Sequence, residues 1–250
     1  MSSYDQTGAT YSVTRRPDPR VAAVINRALK GMALVANIGA GTGSYENAHT
    51  VVAVEPSRVM IKQRPSRSAP AVQAAAENLP IRTAAVDAAM ALLTVHHWTD
   101  LAAGLAEMIR IARRRVVVFT WDPAIFRQFW LLREYLPAAA ETDARLAVPI
   151  DILIELLGEE RVSVVPVLVP RDCRDGFGGA YWCRPQLYLE AAVQTGMSLF
   201  TLTPKSEMQE GLSRLRADVA TGSWQRRHAD LLRSTQIDLG YRLLVADVAT

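Results

Sequence analysis

Four short apolar runs punctuate the first half of the chain, at 33–38, 51–55, 88–95 and 115–121. Each has strand length and lacks the strict alternation of a strand with one wet face. Each therefore predicts a strand, and the continuous run 88–95 predicts one buried on both sides of a sheet. Helical spacing fills the gaps. Asp18 followed by Pro19 predicts a capped helix over Arg20–Lys30, with proline in the first turn, where its missing N–H costs nothing. Pro56-Ser57 starts a short helix through Gln63, and Leu101–Ala112 repeats apolar residues at helical spacing. A weaker strand, Ala71–Ala74, ends before Glu77-Asn-Leu-Pro80. This alternation predicts an α/β layered fold. Beyond Asp122 the pattern changes to longer helices, which ends the first unit there.

One connection is short for this scheme. Seven residues, 44–50, separate a glycine turn from the second strand, whereas a parallel crossover normally needs about a dozen or more. Either its helix is cut to a single turn or the strand ends shift.

The turn itself carries the chemistry. The run 34–38 opens onto Gly39-Ala-Gly-Thr-Gly43, and alternate glycines remove Cβ atoms where backbone must approach a ligand. The next strand ends in Glu55, a carboxylate placed to accept hydrogen bonds from both hydroxyls of a ribose. A dinucleotide fingerprint would need a third glycine at 44, which is Ser44, and an acid ~20 residues on, later than Glu55. Alone the turn is a weak signal, the alternative being a plain strand connection; with Glu55 it describes a pocket for a nucleoside-containing cofactor.

Composition narrows the classes. A chain of 250 residues, half of them apolar, buries one core or a core with an appended cap. The net charge of +3 is mildly basic, and the arginine runs at 110–115, 214–216 and 226–227 are dispersed. Nucleic acid is permitted but not demanded. Cys173 and Cys183 make no disulfide framework and lack metal-ligand spacing, so no metal is expected. No apolar run reaches transmembrane length and the polar start, 1–20, is no signal peptide, which sets a cytoplasmic location as the expectation.

The ordered series Asn37-Ile-Gly-Ala-Gly-Thr-Gly43, Val54-Glu-Pro-Ser57, Ala76-Glu-Asn-Leu-Pro80 and Leu93-Thr-Val-His-His-Trp98 resembles the class I S-adenosylmethionine (SAM) methyltransferases, in their UbiE-like small-molecule branch. The likeness spans residues 4–121. It implies a Rossmann-like, seven-stranded, mostly parallel sheet with an antiparallel last strand and a helical cap over the acceptor site. Val162–Val169 and Tyr241–Val248 would close the sheet. Residues 1–20 would form an N-terminal lid, 21–121 the SAM-binding core, and 122–250 the cap with the closing strands. The implied activity is methyl transfer from SAM to a small-molecule acceptor, in a setting such as natural-product biosynthesis, by a monomer or homodimer.

By resemblance, Gly39, Ala40, Gly41 and Gly43 line the methionine part of SAM through backbone. Asn37 replaces the usual acid there, although its amide still accepts a hydrogen bond. Glu55 takes the ribose, Pro56, Ser57 and Met60 flank the adenine, and Ala76 and Glu77 face its other side. Ala75 stands where an acid is often found. Thr94 lies near the methionine moiety. Arg15 pairs with the cofactor carboxylate and Tyr11 closes over the sulfonium, the alternative being a frayed terminus. Of His96 and His97, His97 is the better candidate base for an OH or NH acceptor, against a structural role bonded to nearby backbone.

The segment 171–185 is densest in polar and aromatic groups. Trp98, Trp121, Phe177, Tyr181 and Trp182 are candidates to line an acceptor pocket, against a glycine-hinged loop whose aromatics are core. Two other functions fit the residues: an RNA methyltransferase, and a non-catalytic SAM-binding regulatory protein, suggested by Asn37 and Ala75.

Overall fold

The computed structural model describes residues 15–248. In chain order the strands are β1 (Val35–Ile38), β2 (Thr50–Val54), β3 (Ala71–Val72), β4 (Val86–Leu92), β5 (Ala112–Trp121), β6 (Val162–Pro166), β7 (Val169–Pro170), β8 (Gln236–Ile237) and β9 (Tyr241–Asp247). Seven form one sheet in the order β3-β2-β1-β4-β5-β9-β6, and β7 pairs with β8 in a separate ribbon. Neighbours from β3 to β5 are parallel. The last strand, β9, is antiparallel to both β5 and β6. This is the Rossmann-like sheet with a reversed last strand that the resemblance implies.

Parity along the strands explains the two layers. Met90 of β4 and Val117 and Phe119 of β5 join one apolar core with Val21 and Ile25 of the helix Pro19–Ala28. Their neighbours Ala89, Ala91, Val116 and Val118 face the other way, onto Leu105, Met108 and Ile111 of the helix Leu101–Ile111. Successive side chains point to opposite faces of a strand, so a strand covered on both sides reads as an unbroken apolar run.

The helix expected over Arg20–Lys30 runs Pro19–Ala28, with the Asp18 carboxylate accepting from the Arg20 amide at 2.9 Å. The strand expected at Ala88–Val95 starts earlier and stops at Leu92. Leu93 turns left-handed (φ 52°) and Val95–His97 forms a 3-10 turn. The closing strand expected over Val162–Val169 breaks at Pro166, which has no N–H for the ladder, and Val169 goes to the small ribbon instead. The short crossover keeps its parallel pairing and contains no helix: residues 39–49 form successive turns. Gly39, Gly41, Gly43 and Tyr45 all take positive φ (66°, 53°, 90° and 64°).

The cap covers the same face of the sheet as the helix Pro19–Ala28. Its centre is aromatic: the Trp130 ring meets Trp224 edge-on at 5.0 Å, and its indole N–H donates to the Trp182 carbonyl at 2.8 Å. The helix Lys205–Ala220 lies against the π-helix Leu131–Tyr135 through Gly211, where an added Cβ would stand 1.8 Å from the Tyr135 carbonyl oxygen. No described helix is long and apolar enough to cross a membrane.

Gly211→Ala gains ~1 kcal/mol of intrinsic helix propensity, yet the enforced clash outweighs it. Urea unfolding is expected to show a net loss of about 2 kcal/mol; a variant as stable as the parent would contradict this packing.

Candidate active site

A cavity of about 410 Å³ opens beyond the carboxyl ends of β1, β2 and β4, the place where open parallel sheets bind ligands. The glycine turn forms its floor. Gly39 is irreplaceable on space alone, because a Cβ there would come 2.2 Å from the Thr94 hydroxyl oxygen. Glu55, buried at the tip of β2, accepts the Gly41 N–H at 2.8 Å and the Ser57 N–H at 2.9 Å. One carboxylate thus fixes the turn against the strand. Ser57 also caps the helix Arg58–Lys62 through the Met60 N–H (3.3 Å), which sets the Met60 side chain into the wall.

Asn37 is 1 % exposed and donates from Nδ2 to Glu46 Oε1 at 3.0 Å. A carboxylate only accepts, so the amide orientation is fixed. Asn37 Oδ1 is left buried with no partner among the described residues. Glu46 is itself paired with Arg64 at 2.8 Å in a buried position, and Arg64 donates to the Gly41 carbonyl at 3.3 Å. The glycine loop thus sets a carboxylate against Asn37. A lone glutamate in an irregular loop gave no sequence signal for this role.

On the opposite wall, Glu77 Oε1 accepts the N–H groups of Thr99 and Asp100 and the Thr99 hydroxyl at 2.7, 3.2 and 2.9 Å. Burial opposes ionisation, but these hydrogen bonds prevail and hold the carboxyl below its ordinary range. His97 and Trp98 also face this cavity, and desolvation pushes the His97 imidazole down to about 4.

A second cavity of about 70 Å³ adjoins the first, with Arg15 and Leu93 on the wall of both. Trp121 and Phe177 line it, with Phe126, Leu199 and Tyr241. Two chemically active groups accompany them: His96 and Asp143. Asp143 is 6 % exposed, and the Trp121 indole N–H donates to its Oδ2 at 3.1 Å. Desolvation pushes this carboxyl up to about 6, against that hydrogen bond. Sequence reasoning missed Asp143, because in the stretch Pro137–Leu146 a lone acid reads as a solvated helix face. Leu93 carries a strained left-handed backbone at the junction.

Arg15 reaches the wall but grips Asp175 through two hydrogen bonds, of 2.6 and 3.2 Å. The Tyr45 hydroxyl donates to the same carboxylate at 2.8 Å. This buried group ties the N-terminal segment, the glycine loop and the 171–185 loop together. Beside it, burial works to raise the Asp18 carboxyl, while hydrogen bonds from Arg20 and the Arg174 N–H bring it down to about 2.

Most expected positions converge: Arg15, Asn37, Gly39, Ala40, Gly41, Glu55, Pro56, Met60, Ala76, Glu77, Thr94, His97 and Trp98 line the larger cavity. Gly43 and Ser57 stand behind that wall, Gly43 against Arg64, Glu46 and Ser68. Tyr181 and Trp182 line neither cavity. Trp182 is fully buried with its indole N–H on the Val169 and Pro170 carbonyls, and Tyr181 packs on Tyr188 with Arg184 over its ring. Both build the cap core, as the alternative reading of that loop had it. Tyr11 lies outside the described residues.

The methyltransferase-domain family matches residues 36–120. A candidate methyltransferase of an antibiotic biosynthesis pathway from Anabaena variabilis is 37% identical, over 93% of this chain and 98% of its own, with a TM-score of 0.86. Two less similar structures share the fold. The YcgJ protein of Bacillus subtilis is 13% identical over 93% of this chain and 100% of its own (TM-score 0.56). A candidate methyltransferase from Bacillus halodurans is 16% identical, with the same coverage and a TM-score of 0.53. No curated protein matches significantly. The chain belongs to the SAM-dependent methyltransferase family.

The raised Asp143 carboxyl has a consequence for stability. Its folded value of about 6 exceeds the ordinary 3.8, so the stability it contributes is present below the unfolded carboxylate range and lost as pH rises through 6. Asp143→Asn retains a carbonyl for the indole N–H and removes the buried charge. The variant is expected to be more stable than the parent at pH 8, by up to about 3 kcal/mol, and equal to it near pH 4. Parallel urea titrations whose difference is the same at both pH values would contradict this.

Proposed function

We propose that this protein transfers the methyl group of SAM to a small, largely apolar metabolite, in a biosynthetic setting like that of its Anabaena relative. The observation that carries the reading is the pair of joined cavities, one of about 410 Å³ and one of about 70 Å³, meeting at Arg15 and Leu93. The likeness of the ordered motifs to the UbiE-like branch supports a small-molecule acceptor, and so do the apolar walls of the second cavity. A nucleic-acid substrate would call for a basic surface around the site.

The larger cavity fits SAM on its own evidence. The orphaned Asn37 Oδ1 accepts an N–H from the amino group of the methionine part, with the Glu46 carboxylate behind it. The Glu55 oxygens, already oriented by two backbone N–H groups, take the ribose hydroxyls. Met60, Pro56 and Ala76 supply apolar walls for the adenine. When bound, SAM supplies an electrophilic methyl group on a sulfonium. The protein's part is then to align an acceptor with it and to exclude water, which well-oriented sites do with effective molarities of about 10⁵ M or more.

Calorimetric titration is expected to give one site for SAM and one for its demethylated product. Glu55→Ala should weaken both at least about tenfold, from loss of charge-assisted hydrogen bonds. No binding heat from either ligand with the parent protein would overturn the reading.

A further inference from the structure

We propose that the second cavity receives a hydroxyl group of the acceptor and that Asp143 is the catalytic base that takes its proton, an inference that rests on the methyl-transfer reading above. Asp143 is nearly sealed from solvent, in a cavity otherwise walled mainly by aromatic and aliphatic groups. Such a carboxylate needs partners, yet among the described residues the Trp121 indole is its hydrogen-bond donor. The bond also fixes its direction. Trp121 belongs to β5, the same strand whose neighbour β4 ends at the cavity junction, so the base is held by the rigid sheet and not by a loop.

The other titratable and charged groups around this cavity are His96, Arg15 and Tyr241. Arg15 is held by Asp175. The Tyr241 hydroxyl accepts the Gly179 N–H at 3.1 Å, and burial pushes its ionisation far up. His96 packs edge-on against Trp121 at 4.7 Å, and its Nδ1 is buried without a partner among the described residues. Burial, then His97 and Arg15, hold the His96 imidazole well below the ordinary histidine range. A histidine that resists protonation here, beside a bound sulfonium, is a poor sink for a proton. A carboxylate raised to about 6 is a good one near neutral pH.

The same chemistry selects a hydroxyl over an aliphatic amine. An aliphatic ammonium keeps its proton to about pH 10 and has no lone pair for attack, so Asp143 would lock it as an ion pair. A hydroxyl oxygen keeps its lone pairs while protonated. It forms the new O–C bond as the C–S bond breaks, with the bond's electron pair remaining on sulfur. The hydroxyl proton passes to Asp143, which leaves the ether, the thioether and a neutral carboxylic acid. The positive charge on sulfur and the negative charge on Asp143 disappear together, which a dry cavity favours.

The test uses phenol, benzylamine and toluene as probes with the whole chain. The parent protein is expected to convert phenol to anisole with SAM and to leave benzylamine unmethylated. Asp143→Asn should lower anisole formation at least about 100-fold while binding SAM within twofold of the parent by calorimetry. With the demethylated cofactor bound, phenol should bind the parent more tightly than toluene, and the variant should lose that preference. Anisole formed equally by both proteins, preferential methylation of benzylamine, or no phenol binding to the cofactor-loaded parent would each overturn the inference. In those outcomes SAM binding still stands. Failure of the parent to bind SAM at all would instead remove the methyl-transfer reading.

Discussion

A single buried carboxylate holds the ligand-facing backbone in place. Glu55 joins the Gly41 amide to the Ser57 amide, so the turn after β1 and the helix start after β2 become one rigid unit. Three glycines in that turn take left-handed backbone angles, and a Cβ at Gly39 has no room beside Thr94. Hydrogen bonds to an ionised acceptor are about twice as strong as neutral ones. Their direction also orients the two oxygens before any ligand arrives. Loss of this bridge would release a segment that has no helix of its own to hold it.

A second buried cluster fixes the wall where the two cavities meet, as Glu55 fixes the glycine turn. Asp175 accepts from Arg15 and Tyr45 and is fully buried. It brings together three segments distant in sequence: Arg15 walls both cavities, Tyr45 the larger and residues 176–178 the smaller. Tyr45 keeps a positive φ to do so, a strain of the order of 1 kcal/mol or more that a well-packed surrounding sustains. The cap above is assembled from tryptophan and tyrosine edges. Its aromatic residues serve packing first, and only those at its lower surface, such as Phe126 and Phe177, meet the cavity.

The inner strands were legible because β1, β4 and the second half of β5 are covered on both sides and read as unbroken apolar runs, whereas the edge strands β3 and β6 are exposed. The crevice beyond β1, β2 and β4 was legible because glycine at alternate positions followed by an acid at a strand tip has a narrow physical meaning. Strand ends were less so. Leu92 ends β4 because Leu93 turns left-handed, a conformation no propensity scale assigns to leucine. The Glu46–Arg64 pair and Asp175 were hidden, since their partners lie 18 and 160 residues away. Asp143 was the largest omission: in sequence it is one more charge on a helix, and only the fold turns it onto the Trp121 indole. Tyr181 and Trp182 illustrate the converse, a polar-aromatic loop whose rings close a core.

The most direct measurement is a crystal structure with the demethylated cofactor bound. The account predicts the nucleoside in the 410 Å³ crevice, both ribose hydroxyls on the Glu55 carboxylate, and the amino group on Asn37 Oδ1. A nucleoside lodged elsewhere, or a Glu55 that makes no contact with the sugar, would contradict it.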